Sequence, residues 1–430
     1  MNNVTSSNNC NLSESLCIHL TAIQSSKVSH LLRLARSRSR DKMATKQFPF
    51  FVLLLFMVCF SVQGENLIKA FTDNDFNQIA LLKEHGINGG GWISIGGTYS
   101  TDNPDNHNNL PITFNDRTSE FQLNQLNLFL QRAVDLESNT WDFGGRMDFL
   151  FGTDSRFTQA TGLDNNLISE DNLRFYDIAI PQAYLEVFTP LGNGVTAKIG
   201  HFYTIIGEEV VMAPNNFFYS HSYTMQYAEP FTHTGVLFSY SLNNNFTLNT
   251  GSVVGWDNFN KNITNWNFLG GLSWTNDEAS DAVSWSVISG DVNDTTSENR
   301  TMYSLVLSHS FTNQLHYVVQ HDLGYQQQAT ASGKDAYWYG INQYMFYDFT
   351  NTLSGGIRGE WFRDNNGTRL NIGTSGNYFE LTAGVNWKPK DWLALRPEIR
   401  YDWADSSINT YDNSSKNHQL EFALDMILEL

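Results

Sequence analysis

Acidic and histidine side chains concentrate in one long connection of the chain, residues 205–233. They are Glu208, Glu209, His221, Glu229 and His233. Carboxylates and imidazoles ligate metals and transfer protons, so their concentration raises the question of a metal site or a catalytic site. The spacing argues against a metal site, because His221 and His233 stand twelve residues apart, His201 is more distant still, and no HExxH pattern occurs. A catalytic Ser–His pair is also disfavoured, because Ser220, His221 and Ser222 are adjacent, which puts neighbours on opposite faces of any strand. We therefore expect no metal, no cofactor and no enzymatic activity.

The elements around this connection are short segments in which apolar and polar residues alternate, the pattern of β-strands. About sixteen such segments follow residue 92. We predict strands at 92–100, 120–132, 141–152, 182–188, 196–204, 234–241, 246–256, 268–275, 282–290, 301–311, 315–325, 338–348, 352–364, 377–388, 392–402 and 419–430. Short connections, rich in the turn residues Asn, Gly, Pro and Asp, alternate with long ones.

This alternation is typical of an up-and-down antiparallel β-barrel in an outer membrane, with short periplasmic turns and long external loops. The sequence therefore predicts an all-β transmembrane barrel of about sixteen strands, with fourteen or eighteen strands still compatible with the pattern. An even number returns the C-terminus to the periplasm, where the last strand closes against the first. The connection 205–233 is then the third external loop.

The two faces of the predicted strands differ in polarity. In the last strand, Leu420, Phe422 and Leu424 share one face, whereas Glu421 and Asp425 share the other. A dry interior could not bury such charges at low cost, so we expect apolar faces toward lipid and charged faces toward a wet lumen. The lumen wall is predicted to contain Arg146, Asp148, Arg358, Arg396, Glu398 and Arg400.

Two further features concern the strands. The alternation breaks between Leu123 and Leu126, which indicates either a β-bulge or a wrong register in the second strand. Tryptophans near strand ends predict aromatic girdles at the two membrane interfaces. These are Trp92, Trp141, Trp256, Trp274, Trp338, Trp361, Trp387 and Trp403.

The N-terminal part of the chain has a different character from the barrel. A basic region and an apolar run from Phe48 to Phe60 predict a signal peptide at 43–64, with an inner-membrane anchor as the alternative. Residues 1–42 are then either the product of an upstream start codon or a basic extension. Residues 65–88 show helical spacing, which predicts a short helical leader or a plug, and the barrel occupies 89–430.

Composition limits the classes of partner. The 430 residues carry a net charge of −18 and have a mean hydropathy of −0.33. Residues 1–64 hold seven Lys and Arg against two Asp and Glu, which leaves 19 basic and 42 acidic residues and a charge of −23 after them. Such a charge argues against nucleic acid as a partner and favours cations. All three cysteines lie before Gly64, so the barrel has no disulfide.

Several stretches resemble a known family. They are 144–160 (GGRMDFLFGTDSRFTQA), 200–208 (GHFYTIIGE), 216–223 (NFFYSHSY) and 229–237 (EPFTHTGVL). Together they are similar to the putative β-barrel porin-2 family, the OmpL-like porins of bacterial outer membranes. The resemblance implies an outer-membrane barrel that passes small solutes. It assigns no role to any particular residue of this chain. The chain departs from most outer-membrane barrels in ending on Leu430 rather than on an aromatic residue.

These observations lead to a functional expectation. We expect a passive channel for small hydrophilic solutes or ions, in contact with outer-membrane lipid, with a homotrimer as the candidate assembly. The third external loop is the candidate constriction, by analogy with general porins, and its acidic residues would give a preference for cations. One alternative is a sugar-selective channel with Phe217, Phe218 and Tyr219 as a stacking track. Another is a non-conducting structural or adhesive barrel.

Overall fold

The described residues form one sheet that closes on itself. The computed structural model describes residues 67–72, 75–168, 174–262, 264–294 and 298–430. The strand segments are β1 (Asn88–Ser100), β2 (Glu120–Arg132), β3 (Asp142–Gly152), β4 (Asp177–Ala179), β5 (Ala183–Thr189), β6 (Val195–Tyr203), β7 (Thr232–Ser241), β8 (Phe246–Val253), β9 (Asn267–Thr275), β10 (Asp281–Asp291), β11 (Asn299–Ser310), β12 (Leu315–Gln326), β13 (Ala336–Thr350), β14 (Leu353–Asp364), β15 (Gly376–Lys390), β16 (Leu393–Ser406) and β17 (His418–Glu429).

Antiparallel pairing of neighbours along the chain builds the barrel, and β1 closes it by pairing with β17 from Trp92 opposite Glu429 to Ser100 opposite Glu421. Segments β4 and β5 both pair with β3, one after the other. Pro181 lies between them and has no N–H to donate to the ladder, so they are one interrupted strand. The described barrel therefore has sixteen strands, and the predicted fold class is confirmed.

The irregularity predicted in the second strand is a β-bulge. Ser94 lies opposite Gln125 and Ile95 lies opposite Leu123, so Asn124 is an extra residue in β2. Because the extra residue shifts the alternation by one position, the side chains of Asn124 and Gln125 are both buried in the barrel. This places two adjacent amides where the third external loop enters.

The predicted orientation of the strand faces is confirmed. Phe143, Met147 and Phe422 are exposed on the outer face, where a soluble protein would bury them, whereas Asp148 and Asp425 are fully buried inside. Apolar side chains facing outward are what a lipid environment requires.

The expectation of a wet interior along the whole wall is wrong. An apolar cluster lies inside the barrel, formed by inward-facing residues of consecutive strands and by external loops. Its members include Phe202, Ile206, Leu237, Val253, Leu269, Ile288, Met302, Trp338 and Leu370. Trp92 and Trp338 are buried on the inward face, so the girdle prediction is wrong for these two residues. Inward-facing side chains here have protein, not water, as their neighbour.

The residues before the barrel form short helices. They are α1 (Leu67–Thr72), a 3₁₀-helix (Phe76–Gln78) and α2 (Ala80–Glu84). Phe71 packs edge-on against Trp392 in the β15–β16 turn, with ring centroids 6.0 Å apart. Ile68 and Phe76 border a groove of about 480 Å³ together with outward-facing Leu128 and Leu130 of β2. These contacts are with the periplasmic end and the outer face of the barrel.

Two predictions about the N-terminus have no structural counterpart. The extension at 1–42 and the signal peptide at 43–64 lie outside the described residues. Among the helices of the described ranges, none is both long enough and apolar enough to cross a bilayer.

Candidate pore constriction

The third external connection, residues 204–231 between β6 and β7, folds into the barrel. We call it the constriction loop. It contains a 3₁₀-helix (Ala213–Asn215) and a π-helix (Thr224–Ala228), and most of its side chains are buried. Glu208 and Asn215 are its exposed residues. Irregular backbone inside a barrel needs partners for its N–H and C=O groups, and the wall supplies them.

Three wall arginines donate to carbonyl groups of the constriction loop. Arg396 reaches the carbonyl oxygens of Ala213 at 2.9 Å and Asn216 at 2.7 Å. Arg358 reaches that of Ser220 at 2.7 Å, and Arg400 reaches that of His221 at 2.6 Å. All three guanidiniums are buried, so they bind the loop backbone and do not face the wet lumen that we expected from the sequence.

Two wall glutamates accept from the amides of the same loop. Glu398 accepts the N–H of Tyr219 at 2.9 Å and that of Ser220 at 3.1 Å. Glu360 accepts the N–H groups of Tyr223 and Thr224, each at 2.6 Å. Charge-assisted hydrogen bonds are stronger than neutral ones, so this alternation of wall arginines and glutamates holds residues 213–224 in place.

Carboxylates compensate the buried guanidiniums. Arg396 pairs with Asp425 at 2.6 Å, and Arg400 pairs with Asp402 at 2.8 Å. Arg358 pairs with Glu380 of β15 and Glu209 of the loop, each at 2.6 Å. A buried charge without such a partner would destabilise the fold strongly. The charges that we assigned to a wet wall are thus internal to the protein.

The remaining predicted wall residues, Arg146 and Asp148, pair with each other. The distance from Arg146 Nε to Asp148 Oδ1 is 2.6 Å, and the guanidinium lies 4.1 Å from the centroid of the Phe129 ring. Asp148 is buried and also accepts from Asn127 and Gln182. This pair stabilises the wall between β2, β3 and the start of β5.

The two adjacent glutamates of the loop have different environments. Glu209 is buried; burial alone would raise its pKa, but Arg358 and the N–H of Ser222 at 2.7 Å hold the pKa below its usual value. Glu208 is accessible to solvent and forms no ion pair with any described residue. Protein packed around it and the neighbouring Glu209 raise the pKa of Glu208.

The histidines do not come together as a site. His221 is buried against the Phe114 ring, with centroids 4.6 Å apart, and burial lowers its pKa to about 4. His233 bonds Thr204 and the carbonyl of Gly255, each at 2.9 Å, while His201 bonds Thr234. Within the described ranges, no three His, Cys, Asp or Glu residues have the geometry of a metal site.

Glu229 is the last of the predicted constriction residues. It is buried and bonds the amide of Gln320 next to Asp322. Burial, followed by the proximity of Asp322, raises the pKa of Glu229 well above its usual value. Through the bond from Gln320, this side chain anchors the end of the loop to β12.

The bulge in β2 binds the constriction loop on the side away from β14 and β16. Gln125 donates to the carbonyl of Val211 at 2.7 Å and accepts the N–H of Ala213 at 3.1 Å. Asn124 accepts from the hydroxyl of Tyr219 at 3.1 Å. The constriction loop is thus bonded to β2 on one side and to β14 and β16 on another.

The aromatic residues proposed as a sugar track are mostly inaccessible. Phe218 and Tyr219 are buried, so they have no free ring face for a sugar. Phe217 is half-buried and packs against Phe346, with centroids 4.7 Å apart. Phe217, Phe218, Phe346 and Glu208 border a small cavity of about 30 Å³.

Sequence reasoning missed several residues of this site. Glu360 and Glu380 of the wall were not singled out, although strict alternation puts them on the face of the predicted arginines. Inward-facing glycines were also missed. A Cβ at Gly356 would lie 2.5 Å from the Phe217 ring, so this glycine makes room for the constriction loop.

A closed sixteen-stranded barrel with an apolar outer face and an external loop folded inside defines a porin of the bacterial outer membrane. Residues 86–430 match the family described as "putative beta-barrel porin-2, OmpL-like". The chain belongs to this family. A comparison with curated proteins finds no match.

Solved porin structures share the fold. The anion-selective porin from Comamonas acidovorans has a TM-score of 0.57 at 10% identity, covering 80% of this chain and 99% of that one. OprB of Pseudomonas putida has a TM-score of 0.54 at 10% identity, with 82% and 97% covered. The trimer form of OmpT from Vibrio cholerae has a TM-score of 0.50 at 11% identity, with 80% and 99% covered. At such identities the likeness concerns the fold alone.

Proposed function

We propose that this porin is a passive channel for small hydrophilic solutes and that it prefers cations. One observation carries the preference: Glu208 presents a solvent-accessible carboxylate on the constriction loop without an ion-pair partner among the described residues. A fixed charge beside a narrow, protein-lined passage focuses the field and attracts ions of opposite sign. Wall arginines do not offset it, because they are paired with carboxylates and with the loop.

The overall charge supports the same preference. Residues 65–430 carry 42 acidic against 19 basic residues, a formal charge of −23. Such an excess raises the local concentration of cations around the protein at moderate ionic strength. The proposed transport is diffusion down a gradient, without a catalytic step.

Reversal potentials in a planar bilayer under a potassium chloride gradient test the preference. Glu208→Gln removes the carboxylate and keeps the shape, so the ratio of potassium to chloride permeability is expected to fall toward one. Glu278→Gln, in the exposed β9–β10 turn, removes the same charge away from the loop and serves as the control. An unchanged ratio in Glu208→Gln would contradict the assignment.

A second candidate is a barrel that does not conduct in this conformation. The observation in its favour is the number of buried links across the lumen, together with the apolar cluster that joins Ile206 of the loop to Leu237, Val253 and Leu269 of the wall. Single-channel recordings separate the two candidates. A silent native protein that conducts after shortening of the constriction loop would favour the second.

We also propose a homotrimeric assembly. The support is the shared fold with OmpT, whose structure is described as a trimer form. Chemical cross-linking of the protein in outer membranes, followed by electrophoresis, is expected to give a ladder that ends at three copies. A single band of one copy over a range of cross-linker concentrations would contradict it.

A further inference from the structure

Two arginines that form no ion pair among the described residues lie with a tryptophan at the external mouth of the barrel. Arg300, at the external end of β11, and Arg369, in the β14–β15 loop, both lie over the ring of Trp256 in the β8–β9 loop. The guanidinium carbons are 4.6 Å and 5.1 Å from the ring centroid. All three residues are half-buried.

Both guanidiniums donate to neutral oxygen atoms. Arg300 donates to the amide oxygen of Gln326 at 2.7 Å, and Arg369 donates to the carbonyl of Tyr227. Among the described residues, neither forms an ion pair, in contrast to the buried wall arginines. Burial lowers the pKa of Arg369 to about 10, which leaves it charged at neutral pH.

Two carboxylates that act electrostatically on these guanidiniums, Asp257 and Asp364, accept hydrogen bonds from backbone amides. Asp364 accepts the N–H groups of Thr368, Arg369 and Leu370. Asp257 accepts those of Phe231 and Thr232. Their hydrogen-bonding capacity toward the guanidiniums is reduced, and each carboxylate holds a loop in place.

Trp256 adds a further donor. Its indole Nε1 is buried and has no hydrogen-bond acceptor among the described residues. Two guanidiniums without an ion-pair partner and an indole N–H without an acceptor therefore lie together in the described part of the chain. Unpaired buried donors and charges are costly, and an anion with several oxygen atoms satisfies them.

We propose that Arg300, Arg369 and Trp256 form a binding site for carboxylate-bearing solutes at the external mouth of the channel. Guanidinium groups bind carboxylates through paired N–H donors, and two such groups on one ring favour a dicarboxylate over a monocarboxylate. The site is separate from Glu208, so it goes beyond the proposed function and does not depend on the preference for potassium.

Calorimetric titration of the protein, purified from outer membranes in detergent, tests the site whether or not the channel conducts. The probe is tartrate, and threitol is its uncharged counterpart of the same carbon skeleton. Saturable binding of tartrate and no binding of threitol are expected. Arg300→Gln and Arg369→Gln should each weaken tartrate binding about tenfold or more, as loss of a charge-assisted pair predicts.

Two variants make the test specific. Arg363→Gln removes an arginine from the outward face of β14 near the same end and should leave binding unchanged. Arg300→Lys keeps the charge but loses the paired donors, so it should also weaken binding; full retention would indicate a diffuse positive potential and overturn the proposed site. Equal binding of tartrate and threitol, or equal losses in Arg363→Gln and Arg369→Gln, would overturn it as well.

Discussion

Arg358 of β14 and Glu209 of the constriction loop form a buried ion pair, with 2.6 Å between guanidinium Nη1 and carboxylate Oε1. The same guanidinium pairs with Glu380 and donates to the carbonyl of Ser220. One wall residue thus compensates two carboxylates and one backbone group. Its loss would leave these groups without a partner inside the barrel.

Replacing Arg358 is therefore expected to release the loop. Arg358→Gln should lower the free energy of unfolding by about 3–5 kcal/mol, the range for breaking a buried pair on one side, and should increase single-channel conductance. Urea unfolding and bilayer recordings measure the two effects. Arg363→Gln on the outward face of the same strand should change neither. Wild-type conductance in a folded Arg358→Gln protein would argue against a clamping role.

A substitution at Gly356 tests whether close packing against the wall holds the constriction loop in place. Gly356→Val would place a Cβ 2.5 Å from the Phe217 ring, so the ring must move. Overpacking of this kind costs about 1–3 kcal/mol, and increased fluctuation of the open-channel current is expected. Gly359→Val on the same strand meets its nearest atom, of Leu381, at 3.9 Å and is the matched control. Equal effects of both substitutions would contradict the packing argument.

His221 should make stability depend on pH. Its folded pKa is about 4, below the usual value of 6.5, because it is buried. Between these values the unfolded chain binds a proton that the folded chain does not, so stability falls as pH decreases from about 7 to about 4. The loss attributable to this residue is about 3 kcal/mol. His221→Gln should flatten the dependence measured by urea unfolding, whereas His418→Gln, at an exposed histidine, should not.

Glu208 should make selectivity depend on pH. Its pKa is raised by surrounding protein and by Glu209. The carboxylate is charged above that raised pKa and neutral below it, so the preference for cations should decline as pH falls through it. Reversal potentials at several pH values measure this. The decline should be absent in Glu208→Gln; an equal decline in that variant would assign the titration to other groups.

The barrel was predictable because its signals are local. Alternation with a period of two assigns each residue to one face, and the bulge at Asn124 is visible as a break in that alternation. Turn residues mark every short connection. The order and the orientation of the strands follow from these patterns without knowledge of any distant contact, which is why 92–100 and 419–430 were expected to close the barrel.

The interior of the barrel was only partly predictable. The arginines and glutamates of the wall were assigned to the correct face, but their partners were expected to be water. Whether an inward-facing charge meets water or another chain segment depends on residues more than a hundred positions away, as with Glu209 and Arg358. Trp92 and Trp338 show the same limit, because strand position alone does not distinguish an interfacial tryptophan from one packed against a loop.

The sequence by itself determined that this protein is an antiparallel outer-membrane barrel, because strand period and turn chemistry are encoded residue by residue. Only the tertiary structure decided what fills the barrel. The long connection after β6 has no regular pattern of its own, and its path is set by wall charges from β14 and β16 and amides from β2. These groups come together only in the closed sheet, in which β1 pairs with β17 and the wall surrounds the loop.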